Sequence, residues 1–302
     1  TMDRRDFFKA ANRSTRQRKA NGNNQLLFAG LNPYAGAWTV NEVSHLLKRT
    51  MFGARKADID YFLTRTPDEA VEELLNTTLT PAPPLRDYGL LEDEGVWYDD
   101  LGVVIGQTWV NDPNMASFEG IRGAINSRRV DSLKKWWTGL ILNQQRSIQE
   151  KMVLFWHHHF SIQSSEVENS AILYRHHNLL RTNALGNVKT LVREVTIDPA
   201  MLIHLNGYLN SKQAPDENYA RELQELFSIG QGNDSQYTED DVIAAARVLT
   251  GWRITDMPLG VYLDTNAHDT GSKTFSAFYN NTTISGSTNP NQELDALMDM
   301  IF

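Results

Sequence analysis

Three times in this chain a threonine stands three residues ahead of a carboxylate, at the head of an apolar-periodic run. The pairs are Thr39 with Glu42, Thr66 with Glu69 and Thr238 with Asp241. Such a pair is a capping box: hydroxyl and carboxylate each take one of the amides that a helix start leaves without a partner. A chain that opens segments this way repeatedly must bury helix faces against one another. The first box predicts a helix from 39 to Phe52, stopped by Gly53. The second has Pro67 at the first helical position and predicts a helix to about Leu75.

The same periodicity predicts helices over about 128–145, 147–160, 168–185 and 187–196. Asp216 caps 217–229, ended by Gly230, and Thr238 caps 239–250, ended by Gly251. Residues 81–95 carry three prolines and read as a linker. After Trp252 the texture changes: 261–263 and 274–278 have strand propensity around a polar loop, which predicts a small hairpin or an extended insertion within about 253–287. Helical pattern resumes at Glu293 and is still running at Phe302, which suggests missing C-terminal sequence. The expected fold is mainly α-helical. It is one large helical domain over 39–302, with a minor β element after Trp252, behind a basic flexible head over 1–38.

Composition narrows the chemistry. The 302 residues include no cysteine, which removes disulfides, thiolate nucleophiles and cysteine-bound metal clusters. No apolar run approaches the roughly 18 residues that a membrane span needs. The formal charge is −8, yet residues 1–20 hold seven Lys or Arg against two Asp. The body is therefore strongly acidic and repels phosphate backbones, so no nucleic-acid partner is expected. Arg4-Arg5 followed by Phe7-Phe8-Lys9 resembles a twin-arginine export signal. The polar residues 12–24 oppose it, leaving localisation between cytoplasm and export.

Three constellations can carry chemistry. Phe155-Trp156-His157-His158-His159-Phe160 is the densest. His157 and His159 can share a transition metal only if the helix ends before them, since i and i+2 diverge on a helix. The bland reading is a helix terminus whose imidazoles bond carbonyls. In 216–227, Glu217 and Arg221 form an i,i+4 pair, and Glu222 and Glu225 can face one way, for acid–base work or as surface charge. His268 and Asp269 sit together on a loop, where they can ligate, relay protons or cap a turn. His45 and Arg247 look unusual in core-facing settings, and Arg247 needs an anionic partner.

Taken in order, several segments resemble the bacterial family catalogued as domain of unknown function 1800. They are His45-Leu46-Leu47-Lys48-Arg49, Glu150 to Phe160, Glu217-Asn218-Tyr219-Ala220-Arg221-Glu222-Leu223, Ala246 to Trp252, and His268-Asp269 with Gly271 and Lys273. The resemblance spans about 39–302. It implies frequent export and a protein partner encoded nearby, but no activity. It also implies that His45, Arg49, His157, His159, Glu217, Arg221, Glu222, Arg247, His268 and Asp269 belong to a shared pattern, with His158 and His204 outside it. The leading expectation is a metal-assisted hydrolase or oxidase. His157, His159 and His268 would ligate the ion, with Glu222 or Asp269 as further ligand or base, and Arg247 or Arg221 would bind an anionic substrate. The alternative is a non-catalytic surface or scaffolding protein whose polar residues fix helix register. The convergence expected is one pocket holding His157, His159, Glu222, Arg247 and His268, with His158 pointing away.

Overall fold

The computed structural model describes residues 34–302 apart from 94, 101, 113–121, 233–234 and 257–258. The chain divides into a short unit, Thr1–Ala37, and a large one, Trp38–Phe302. The twin-arginine-like stretch and most of the basic head lie outside the described residues.

The large unit opens with three helices, α1 (Val40–Thr50), α2 (Lys56–Phe62) and α3 (Pro67–Asn76). Both predicted capping boxes are formed, at Thr39 and Thr66. Val43, Leu47, Met51, Phe62, Ala70 and Leu74 close into a core of their own. The first helix stops at Thr50, because Met51 turns to extended backbone; Gly53 does not end it. His45 is exposed on α1, so its expected core-facing setting is corrected: Val43 and Leu47 take the buried stripe.

The presumed linker runs into a hairpin, β1 (Leu91–Asp93) with β2 (Val96–Tyr98), in the register Asp93 to Val96. Beyond it run α4 (Arg122–Leu142), α5 (Gln149–His159), α6 (Ser164–Val167), α7 (Ser170–Thr182), α8 (Val188–Thr196) and α9 (Pro199–His204). Buried Arg129 on α4 ties this stretch together, bonding Asp100 at 2.9 and 3.0 Å and Asp112 at 2.7 Å. Then come α10 (Asn218–Glu225) and α11 (Glu239–Val248), the latter opened by the predicted Thr238 box. The large core joins Leu180, Leu191, Val195, Met201, Leu223, Val242 and Val248 with residues further along the chain.

The β element after Trp252 is present with different pairing. β3 (Trp252–Asp256) pairs antiparallel with β4 (Leu259–Leu263). The stretch expected to pair with 261–263 instead gives β5 (Lys273–Thr274), which meets β6 (Thr283–Ile284). The final helix, α12 (Pro290–Ile301), packs Leu294, Leu297 and Met298 into the large core. The fold is thus mainly helical with minor hairpins. No helix among the described residues is long and apolar enough to cross a membrane.

Candidate functional site

The end of α11 runs into a loop that must fold back on itself. Gly251 has φ +95°, and a Cβ there would lie 2.8 Å from the Asp264 carbonyl oxygen. Only glycine takes this conformation without strain. The reversal lays 264–273 against Thr250. The Thr250 hydroxyl donates to the Arg247 carbonyl at 2.8 Å and accepts from the Asp269 amide at 2.8 Å. A second close approach, at Gly286, brings the backbone so near Thr270 that any side chain would collide with it.

Within this fold-back lies a buried ionic network. His268 and Glu293 are 1% exposed and Lys273 is fully buried. His268 places Nδ1 2.9 Å from the Thr250 carbonyl oxygen and Nε2 3.2 Å from Glu293 Oε1. Lys273 donates to the Asp269 carbonyl and to Glu293, and the Ser287 amide donates to Glu293 at 2.6 Å. Arg247 donates to Asp269 through Nε at 2.7 Å, and Asp269 also accepts from the Gly271 amide at 2.8 Å. Burial pushes the Asp269 carboxyl up. The Arg247 guanidinium and the Gly271 amide outweigh that and hold it below the ordinary carboxylate range. Each nitrogen of His268 has an oxygen within hydrogen-bond reach, so neither is open to a metal ion.

Arg221 bridges two helix starts. It donates to Glu217 at 3.1 Å, one turn back, and to both oxygens of Glu239 at 2.6 and 2.9 Å. Glu222 is half-buried beside it. Its charge is among those that weigh against ionisation of Tyr237, after burial and Glu225.

The three consecutive histidines close α5, which stays helical through His159. His157 and His159 therefore part company, as i and i+2 must on a helix. His159 packs against Phe160 and Phe227, with Nε2 3.4 Å from the Phe227 carbonyl. His157 turns to Trp137, 4.9 Å between centroids, and to His177, 6.5 Å away. Burial, and then the neighbouring His176 and His158, lower its pKa to about 4. His158 is exposed. The structure thus joins Arg247, Asp269 and His268 in one network, and neither His157 nor His159 bonds into it. Among the described residues, no group of three or more His, Asp or Glu side chains is placed to hold a metal ion. The expected triad of His157, His159 and His268 does not meet: a continuous helix divides two of them, and the third is fully engaged.

Sequence reasoning passed over a second cluster. α4, α5 and α7 meet along a seam of two matched rows. Glu150 and His157 share one face of α5, seven residues apart, and His177 and Arg181 share one face of α7. Arg181 pairs with Glu150 through both guanidinium nitrogens, and Trp137 Nε1 donates to Glu150 at 3.2 Å. One turn along, His177 is 3% exposed, with Trp136 and Trp137 set edge-on at 5.5 and 4.4 Å. Neither of its nitrogens has a hydrogen-bond partner among the described residues. Its neighbour His176 differs: it bonds Asp198 at 2.9 Å and the Phe160 carbonyl at 3.2 Å. The adjacent pairs Trp136-Trp137 and His176-His177 were the available signal in the sequence.

The model of the family described as "Protein of unknown function (DUF1800)" matches residues 45–302. No curated protein and no solved structure gives a significant match. The family match runs from within α1 to the last residue and takes in the fold-back network and the seam, and the chain belongs to the DUF1800 family.

Proposed function

We propose that this chain is a non-catalytic surface or scaffolding protein, in which the polar pattern residues fix how the helices meet. The observation that carries this reading is the saturation of the fold-back network. Glu293 accepts from Lys273 and the Ser287 amide and lies 3.2 Å from His268 Nε2, and each nitrogen of His268 has an oxygen within hydrogen-bond reach. Groups so fully engaged hold register and leave little for a substrate. The partner on this reading is a protein, not nucleic acid, because the net charge of −8 opposes phosphate. The competing reading, a metal-assisted hydrolase or oxidase using Glu222, Asp269, Arg247 and Arg221, needs a ligand set that His157, His159 and His268 do not form in this arrangement.

Stability separates the two. Residues kept for chemistry are neutral or unfavourable for the fold, so conservative removal leaves stability equal or raises it. Residues kept for register lose stability when changed. His268→Gln and Asp269→Asn are expected to lower the urea midpoint of the full chain with the slope unchanged. Equal or higher midpoints in both variants overturn the scaffold reading.

A further inference from the structure

Among the described residues, His177 is a buried side chain with neither ring nitrogen partnered. A buried imidazole without partners destabilises a fold, and its presence calls for an explanation such as a bound ion. Facing it across the seam is His157, which has no hydrogen bond to any described residue and is half-buried, so the pair opens toward solvent on one side. No hydrogen bond to a described residue claims either ring, so each imidazole has a nitrogen left to ligate an ion.

The surroundings select the ion. The walls are the rings of Trp136 and Trp137, and Arg181, though paired with Glu150, lies 5.5 Å from the Trp136 ring and still opposes positive charge at His177. A divalent ion would bring two uncompensated charges into this apolar setting. Zinc also wants four ligands, and no three His, Asp or Glu donors converge among the described residues. Cuprous copper carries one charge, tolerates two nitrogen ligands in line, and gains from aromatic walls. Metal–nitrogen bonds of about 2 Å on opposite sides of one ion put ring centroids roughly 6 Å apart, close to the 6.5 Å between His157 and His177.

We propose that His157 and His177, walled by Trp136 and Trp137, form a two-coordinate site for a monovalent copper ion. The site does not depend on the scaffold reading, and a scaffold can carry it. The test uses the untagged full chain without oxygen, titrated with Cu+ held as its bicinchoninate complex. The wild type is expected to withdraw one copper per chain. His177→Phe, which keeps an aromatic ring in the seam, and His157→Ala, at a half-buried position, are each expected to weaken uptake at least tenfold. His158→Ala is expected to change it less than twofold. X-ray absorption of the loaded chain should show two nitrogen neighbours. The proposal fails if no copper is withdrawn, if uptake survives both His157→Ala and His177→Phe, or if Zn2+ binds these histidines and Cu+ does not. Should His177→Phe not fold by circular dichroism, His157→Ala alone decides.

Discussion

The fold-back network and the α4–α5–α7 seam bury similar chemistry and resolve it in opposite ways. In the first, His268, Lys273 and Glu293 find a partner for each polar group. In the second, His177 finds none. The difference follows from where the chain is regular. The network is assembled where backbone is free to bond, at the Thr250 carbonyl past the end of α11, the Asp269 carbonyl and the Ser287 amide. The seam lies along helices, whose carbonyls and amides satisfy one another. There only side chains remain as partners, and the one donor of Trp137 is already engaged by Glu150. Buried polar groups are thus readily completed at loop junctions and left open between helices.

The comparison breaks most visibly at Glu293. Glu293→Ala leaves Lys273 charged and buried without a counterion and His268 without its acceptor. Removing one partner of a buried pair destabilises by about 3–5 kcal/mol. The urea midpoint should fall accordingly. The double variant Lys273→Met with Glu293→Leu should recover most of the loss, since apolar replacements of both partners need no counterion. A double variant as unstable as the single one would mean that the pair contributes something packing cannot replace.

Acid separates the regions in the metal-free chain. His157 has a pKa of about 4 in the fold against an ordinary 6.5, so the unfolded chain takes up the proton first. The contribution of neutral His157 is complete above pH 6.5, declines as pH falls toward 4 and then levels, by on the order of 1–3 kcal/mol, and His177, also lowered, declines in the same direction. Asp269 runs later: its folded pKa lies below the ordinary 3.8, so its contribution is complete above that value and is lost as pH falls through the folded one. Between pH 6.5 and about 5 the decline should therefore belong to the seam; below that the lowered carboxyls of Glu42, Glu69 and Glu239 add their own losses. Urea midpoints at pH 7.5, 5.5 and 4.2 check this, and the decline should shrink in His157→Phe/His177→Phe. A decline of equal size in that double variant would assign it elsewhere.

A smaller effect belongs to the rim of the network. Arg247 and Asp269 are 32% and 18% exposed, so water softens both the attraction and its loss. Arg247→Met is expected to lower stability by about 1 kcal/mol, well short of Glu293→Ala. A loss as large as that of Glu293→Ala would show that the ion pair at the rim is coupled to the buried charges.

Which of these features the sequence made legible follows the same division. Thr39, Thr66 and Thr238 announce their helices because a capping box is a local contract among four residues. Arg247 announced an anionic partner, and Asp269 is it. The hairpin after Trp252 was placed but paired wrongly: 261–263 and 274–278 both have strand propensity, yet propensity says nothing about which strand is the neighbour. β4 pairs with β3, directly before it. The α9 helix was overlooked although Asp198 followed by Pro199 is a cap signal, and the Asp198 carboxylate accepts from the Ala200 and Met201 amides. The His157–His177 approach was not readable, because it depends on how α5 and α7 cross, twenty residues apart in the chain and set only by packing.

The smallest effect is the sharpest comparison, because it contrasts two adjacent residues. His176 and His177 are both buried on α7, at 1% and 3% exposure. His176→Phe removes the bonds to Asp198 and the Phe160 carbonyl and leaves the buried Asp198 carboxylate with only its two cap amides, so it must destabilise. His177→Phe removes no bond. It replaces a ring whose nitrogens face no partner with one that has no nitrogens, and the edge-on contacts with Trp136 and Trp137 suit a phenyl ring as well. In the metal-free chain its stability should change by less than about 1 kcal/mol, in the stabilising direction. With Cu+ present the sign should reverse, because a ligand that binds only the folded wild type raises the wild type's stability alone. A large loss in His177→Phe without metal would mean that His177 is already satisfied, and the distinction between the two regions would fall.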